Sequence, residues 1–504
     1  MKLFPSSPDF AAGFDAGKNQ VVWTRIVADL DTPVSLMLKL TQARKDSFLL
    51  ESVTGGDTRG RYSIIGMKPD LVWDCHGTKA RLNRSARFDA DAFEDETVDP
   101  LTSLRNIIAE SQIDLPEDLP PMAAGLFGFL GYDMIRLVEN LPNMNPDTLN
   151  LPDAVMQRPT IIVIVDGVKG DITIVSPAWV NSGLNARAAY AQAAERVADA
   201  VRNLDRPTRA EVYDVSDDST SEPQSNMTKE AYFEMVNKAK EYVRKGDIFQ
   251  VVPSQRWTQK FDLPPFSLYR ALRRTNPSPY MFFYNFGGFQ VVGASPEILV
   301  QVTGSKVTIR PIAGTRPRGA TVAEDLAFEK DLLADPKECA EHLMLLDLGR
   351  NDVGRVAKIG TVTPTEKFII ERYSHVMHIV SNVEGELQDQ HDALSALLAG
   401  LPAGTVSGAP KVRAMEIIDE LETVKRGVYG GGVGYFSANG DMDICIALRT
   451  AVVKDKTLYV QAGGGIVYDS VPEDEYQETV NKSKALMQAA KDAALFVEHR
   501  DGNN

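Results

Sequence analysis

Two stretches of this chain carry glutamates at a spacing that could hold a cation. Glu338 and Glu341 lie in KECAEHLMLLDLGRND, and Glu475 and Glu478 in PEDEYQETVNKSKAL. On a helix, an i, i+3 spacing puts both carboxylates on one face. If the two helices face each other, four carboxylates converge. Such a cluster stays ionised only with a cation, and oxygen-only ligands suit Mg2+. Acidic surface helices carry such pairs too. Two details set these apart. Glu341 precedes the apolar HLMLLDL, so its helix is at least half buried, and Glu478 is followed one turn on by Asn481 and Lys482.

Other chemistries find no support. GTVSGAPK (404–411) lacks the spacing and the terminal Lys-Ser/Thr of a phosphate loop. GGGVGYF (430–436) lacks the third glycine of the dinucleotide fingerprint and does not lie between a strand and a helix. There is no H-E-x-x-H and no G-x-S-x-G. Cys75, Cys339 and Cys445 are isolated and odd in number, which fits reduced thiols in a cytoplasmic protein rather than zinc or disulfides. The N-terminal MKLFPSSPDFAAGF has no apolar core and does not read as a signal peptide. No run approaches the roughly 18 apolar residues of a membrane span.

The elements that must position these groups follow from composition and pattern. The chain has 504 residues, 43% hydrophobic and 24% charged, enough for two to four domains' worth of core. Disorder, coiled coil and collagen are excluded. Sixty-nine acidic residues against 54 basic ones give a net charge of −15, which argues against nucleic acid as a partner. A polar, acidic stretch over 205–225 reads as a linker or long loop between an N-terminal region (1–204) and a second region (226–504). TIIVIVDG and DITIVS pattern as a hairpin. A helix starts at Thr228 and stops at Gly246, a strand spans 247–257, and long helices are expected over 325–349 and 475–497. Turn signals fall at Asn439-Gly440 and 454–456. The expected class is α+β: a large, mainly antiparallel β-sheet sandwich core flanked by helices.

In family order, the second region contains DIFQVVPSQR, NPSPYMFF, GASPEILV, RPIAGTRPRG, AEHLMLLDLGRND, SHVMHIVSNVEG, LPAGTVSGAPKVRAMEIIDELE, GVYGGGVGYF, ICIALRT and QAGGGIVYDSVPEDEYQET. It resembles the chorismate-utilising enzymes, most closely the large-subunit (component I) family of anthranilate synthases. In the first region, LLESVTGGDTRGRYSIIG resembles the regulatory segment of that family, so 1–204 is expected to be a tryptophan-binding region and 226–504 the chorismate-binding catalytic region.

The resemblance implies roles residue by residue. Glu341 and Glu478 match glutamates that hold Mg2+, with Glu338 and Glu475 reaching it through water. A cation would let an acidic pocket take chorismate, a dicarboxylate. Arg449 matches the bidentate partner of the enolpyruvyl carboxylate. Tyr429, Thr405, Gly314, Thr315, Gly463, Gly464 and Gly465 match the rest of the substrate shell. Glu297 matches the general acid for the departing C4 hydroxyl, and such an acid needs a raised pKa. His378 matches the residue of the lyase step, with His375 nearby. Water-adding relatives carry a lysine base where this chain has Gln250, and aminodeoxychorismate synthase carries a nucleophilic lysine where it has Ala313. Both positions therefore point to direct addition of ammonia. The three cysteines lie in no glutaminase elbow, so a separate glutamine amidotransferase subunit in a hetero-oligomer is implied. Glu51, Ser52, Pro279, Tyr280 and Met281 match elements that bind tryptophan as a feedback inhibitor.

Overall fold

Two unusually long strands organise the molecule. Tyr62–His76 and Ala154–Asp166 pair antiparallel along their whole length, with one irregularity at Pro69. All the strands paired with them form one continuous sheet that closes on itself, and the two ends of this pair lead into its two halves, the two sheets of the sandwich. At one end the order runs Gln20–Val27, Asp171–Ala178, Ala154–Asp166, Tyr62–His76, Ser47–Glu51, Tyr280–Asn285, Gln290–Ser295, Thr450–Lys454, Thr457–Gly463, Ser254–Lys260. At the other end it runs through Gly125–Leu130, Gly432–Ser437, Met442–Ile446, Ile298–Thr303, Lys306–Ile309 and Val376–Glu386. All these pairings are antiparallel, as expected for the class. The computed structural model describes residues 1–52, 60–142, 144–208, 212–213, 221–373 and 376–499. Outside the described residues lie His375, residues 53–59 of the LLESVTGGDTRGRYSIIG stretch, 209–211 and 214–220 of the acidic stretch, and the last five residues.

The sheets draw strands from both sides of that acidic stretch. Ser47–Glu51 pairs with Tyr280–Asn285, and Gly125–Leu130 with Gly432–Ser437. The apolar face between the sheets is aromatic: Phe48 stacks on Phe127 at 4.8 Å, and Tyr284 lies 5.1 Å from Phe48. The outer face of the first sheet is covered by helices, among them Ala186–Leu204, Pro265–Thr275 and Pro472–Asp492, around Leu49, Met281, Phe283 and Leu486.

Local signals behave as their chemistry dictates. Thr228 caps Lys229–Lys245 by accepting from the Ala231 N–H, and Gly246 ends it at φ +81°. The hairpin forms between Ala154–Asp166 and Asp171–Ala178. Prolines break two expected elements. The helix expected over 325–349 is two, Val322–Ala334 and Pro336–Gly354, because Pro336 disfavours a helical Asp335, which instead caps the second helix. The strand expected over 247–257 is divided at Pro253 into Gln250–Val251 and Ser254–Lys260. The short Gln250–Val251 piece pairs with Gly408–Ala409 instead. Among the described residues no helix is long and apolar enough to cross a membrane.

Candidate active site

Both glutamate pairs sit at helix N-termini. Pro336–Gly354 and Pro472–Asp492 each begin at a proline, with Glu338 and Glu475 in their first turns. Free N–H groups there favour negative charge. Glu338 Oε1 meets Arg316 Nη1 at 3.3 Å, and Oε2 lies 3.1 Å from where a β-carbon on Gly314 would stand. Gly314 also has φ +68°, so glycine serves twice there. Gln250 donates from Nε2 to Glu341 Oε1 at 3.3 Å. The glycine run joins the two pairs. A β-carbon on Gly465 would collide with the Gln250 amide, and one on Gly464 would stand 3.2 Å from Glu475 Oε2. The Gly463 carbonyl accepts from Lys482 Nζ at 2.9 Å, and Lys482 pairs with Glu478 at 2.7 Å. The Gly464 N–H is already engaged, donating to Pro253 O at 3.2 Å.

These carboxylates are under electrostatic pressure. Burial, and then the charge of Glu341, raises Glu338; burial, with Glu478 adding to it, raises Glu475. Glu475 Oε2 is buried with no hydrogen-bond partner among the described residues. No three His, Cys, Asp or Glu side chains among the described residues stand close enough to cage an ion as the chain stands. The donor chemistry nonetheless fits a hard cation: only oxygens, mutual repulsion within each pair, and one buried oxygen left unmatched.

Glu297 and Arg449 come together for a topological reason. Gln290–Ser295 continues into Ile298–Thr303, and Met442–Ile446 into Thr450–Lys454, each passing from one sheet to the other. The two corners bond to each other: Ile446 N–H donates to Glu297 O at 3.0 Å, and Ala294 N–H to Arg449 O at 3.1 Å. Glu297 is 6% exposed, and burial pushes its carboxyl up to about 8, against the smaller pull of the Ile312 N–H and Thr405. Thr405 faces that carboxyl without closing a hydrogen bond of normal geometry. Arg449 sits in the left-handed region at φ +48°, a strained place for a long side chain. Its guanidinium has no ion-pair partner among the described residues, and burial lowers its pKa.

His378 lies on Val376–Glu386 within electrostatic reach of Arg449. Its Nδ1 lies 2.8 Å from Gly314 O and 3.1 Å from Thr315 Oγ1. A carbonyl only accepts, so Nδ1 carries the proton and Nε2 keeps a lone pair. Burial, with Arg449 adding to it, holds the imidazole below its usual pKa and hence neutral. Tyr429 is buried, with its hydroxyl against Gly463.

A separate cavity of about 210 Å3 lies between the sheets, and Glu51, Ser52, Pro279, Tyr280 and Met281 all line it. Strand alternation divides them. Tyr280 packs with the aromatic cluster between the sheets, whereas Met281 belongs to the core under the helices. Glu51 also turns to the helix side: Arg273 holds it at 2.9 and 3.0 Å, and Tyr269 donates to it. Ser52 Oγ is buried with no partner among the described residues, and Arg61, Gln301 and Asp443 also line the cavity.

The family model for chorismate binding enzymes matches residues 67–488. The chain belongs to this family. It is 70% identical to anthranilate synthase component 1 of Cereibacter sphaeroides over 99% of both chains, and 45% identical to that of Aquifex aeolicus over 93% of this chain and 94% of the other. Among solved structures, anthranilate synthase component I of Streptococcus pneumoniae superposes with a TM-score of 0.75 at 38% identity, over 86% of this chain and 94% of that one. The menaquinone-specific isochorismate synthase of Escherichia coli, 18% identical, shares the fold at a TM-score of 0.70 over 96% of this chain and all of that one.

Within this chorismate-binding enzyme, sequence reasoning missed Arg316 and Arg426. Arg316 sits two residues beyond Gly314 and ties Glu338 to Asp331 and Asp335. Nothing in residue type or spacing marks Arg426, which is buried and lies 5.4 Å from the Tyr429 ring.

Proposed function

We propose that this chorismate-binding enzyme is the large subunit of an anthranilate synthase, turning chorismate and ammonia into anthranilate and pyruvate. The observation that carries the reading is a buried Glu297, its carboxyl pushed up by burial, at the same double corner as a buried Arg449 with no ion-pair partner among the described residues, and His378 within electrostatic reach of that arginine. Arg449 is placed to take the enolpyruvyl carboxylate in a bidentate grip. Ammonia forms a bond to C2, both ring double bonds shift by one position, and the C4–O bond breaks as Glu297 gives its proton to the leaving hydroxide; the ammonium formed at C2 loses a proton to solvent. His378 Nε2 then takes the C2 proton, the C3–O bond breaks and the ring becomes aromatic, and the released enolpyruvate takes up a proton at carbon to become pyruvate. Gln250, an amide held by Glu341, cannot deprotonate water, and Ala313 offers no nucleophile, which disfavours the other chorismate reactions. Ammonia would come from a glutamine amidotransferase subunit.

Purified protein given chorismate, Mg2+ and ammonium salts should produce anthranilate fluorescence. Salicylate, isochorismate or aminodeoxychorismate instead would refute the reading. Glu341, Glu478, Glu338 and Glu475 would hold Mg2+, which when bound neutralises the carboxylates and orients the substrate's ring carboxylate. Chelation should abolish activity and lower the thermal midpoint, and Mg2+ should restore both. Glu341→Gln should raise the Mg2+ concentration for half-maximal rate at least tenfold; an unchanged Mg2+ dependence would count against these ligands.

We assign the cavity between the sheets to tryptophan as inhibitor, since Tyr62, Tyr280, Phe282 and Tyr435 wall it for an aromatic ring, and Ser52, Arg61, Gln301 and Asp443 offer polar groups for an amino acid's charged end. Ser52→Phe should fill it, raising the tryptophan concentration for half inhibition at least tenfold with kcat unchanged. Normal inhibition of Ser52→Phe would remove the assignment.

A further inference from the structure

Arg426 is 3% exposed, and its guanidinium reaches two other segments of the proposed site as well as Tyr429, three residues on in its own. Nη1 donates to Val406 O at 2.6 Å, next to Thr405. Nη2 donates to Val252 O at 2.7 Å, two residues from Gln250. Its face covers the Tyr429 ring at 5.4 Å, while the Tyr132 ring lies 4.6 Å away. Its charge is balanced by Glu422, four residues back and just past the end of the Lys411–Leu421 helix, with Nε–O distances of 3.1 and 3.0 Å. Glu422 in turn accepts from Ser254 N–H and Oγ at 2.8 and 2.7 Å. Both ends of the pair are therefore tied to the segment that follows Gln250, Arg426 at Val252 and Glu422 at Ser254.

We propose that Arg426 is a positioning residue for the reaction: one buried guanidinium sets Thr405, Gln250 and Tyr429 at fixed distances from one another. The proposal rests on the functional reading above. Three features of the arrangement support it. Val252 and Val406 are about 150 residues apart in sequence, and the loop around Thr405 has little regular structure, with a 3-10 turn over Gly404–Val406. The carbonyls bonded by Arg426 are main-chain groups one and two residues from site side chains, so a shift of the guanidinium moves Thr405 and Gln250 directly. A planar fork can hold two diverging carbonyls and a carboxylate together, whereas an ammonium has no such fixed geometry. Thr405 faces Glu297, so the alignment of the proposed acid depends on this anchor.

The test is Arg426→Lys in the full chain, assayed with chorismate, Mg2+ and saturating ammonia, with rates expressed per folded molecule from a thermal unfolding curve. The positioning role predicts at least a tenfold fall in kcat together with a raised chorismate KM. Folded Arg426→Lys with kcat and KM within twofold of wild type would overturn it, because a purely structural role lowers only the amount of folded protein. Should Arg426→Lys not fold, Glu422→Asp decides: shortening the carboxylate draws the guanidinium off the two carbonyls, and the same changes in kcat and KM are expected, whereas wild-type values overturn the proposal. If wild-type protein in the same assay makes no anthranilate, the functional reading fails instead.

Discussion

Glu297→Gln loses two to four orders of magnitude in kcat, about what removing a general acid costs, while chorismate binding is kept. Its carboxyl is pushed up to about 8 by burial, so the wild-type group is protonated at neutral pH and can donate. The wild-type rate should therefore fall as pH rises through about 8, measured with free ammonia held constant by adjusting total ammonium. The variant should show no such limb. Stability also falls as pH rises. The folded-state pKa lies above the ordinary carboxylate value, so the native state binds more protons than the unfolded chain. Stability from this group is complete below the ordinary pKa of 4.5 and is lost progressively up to about 8. An amide has no charge to bury, so at pH 9 Glu297→Gln should unfold at a higher temperature than wild type. A variant that keeps a tenth or more of wild-type kcat would exclude Glu297 as the acid.

Arg449→Met should trade function for stability. The guanidinium is held in a strained backbone conformation with no ion-pair partner among the described residues, and burial lowers its pKa. Such a group is costly to keep charged. Replacing it with an apolar side chain of similar length should raise the thermal midpoint of the unliganded protein. Loss of a bidentate carboxylate contact costs about 3 kcal/mol in the transition state, roughly a hundredfold in kcat/KM. Arg449→Lys should recover little of that, because a point ammonium cannot match the carboxylate's two oxygens. Full activity in Arg449→Met would place the enolpyruvyl carboxylate elsewhere.

What the sequence made legible was local. The cap at Thr228, the stop at Gly246 and the hairpin after Thr160 depend on a few neighbouring residues, and each appears in the structure. The glutamate pairs were readable because i, i+3 spacing on a helix fixes which side chains share a face. Glu297 and Arg449 are different. No spacing joins them, since their proximity comes from two bent strand pairs whose residues are about 150 positions apart, and only family resemblance pointed to them. Glu51 and Met281 show a finer limit. Their alternation was visible, but which face is the cavity depends on the helix covering the other side. The breaks at Pro336 and Pro253 were written in the sequence, and the apolar pattern around each proline masked them.

The interleaving of strands from both ends of the chain has a consequence during synthesis. GLFGFL at Gly125–Leu130 is buried at every position and acquires its second neighbour only with Gly432–Ser437, about 300 residues later. At roughly 5–20 residues per second on the ribosome, that wait lasts roughly 15–60 s. Throughout it the nascent polypeptide presents an apolar strand with one row of backbone groups unsatisfied, the kind of surface that recruits other chains. Growing the producing cells cold, or supplying more holdase chaperone, should therefore raise soluble yield more than strengthening any contact in the finished protein.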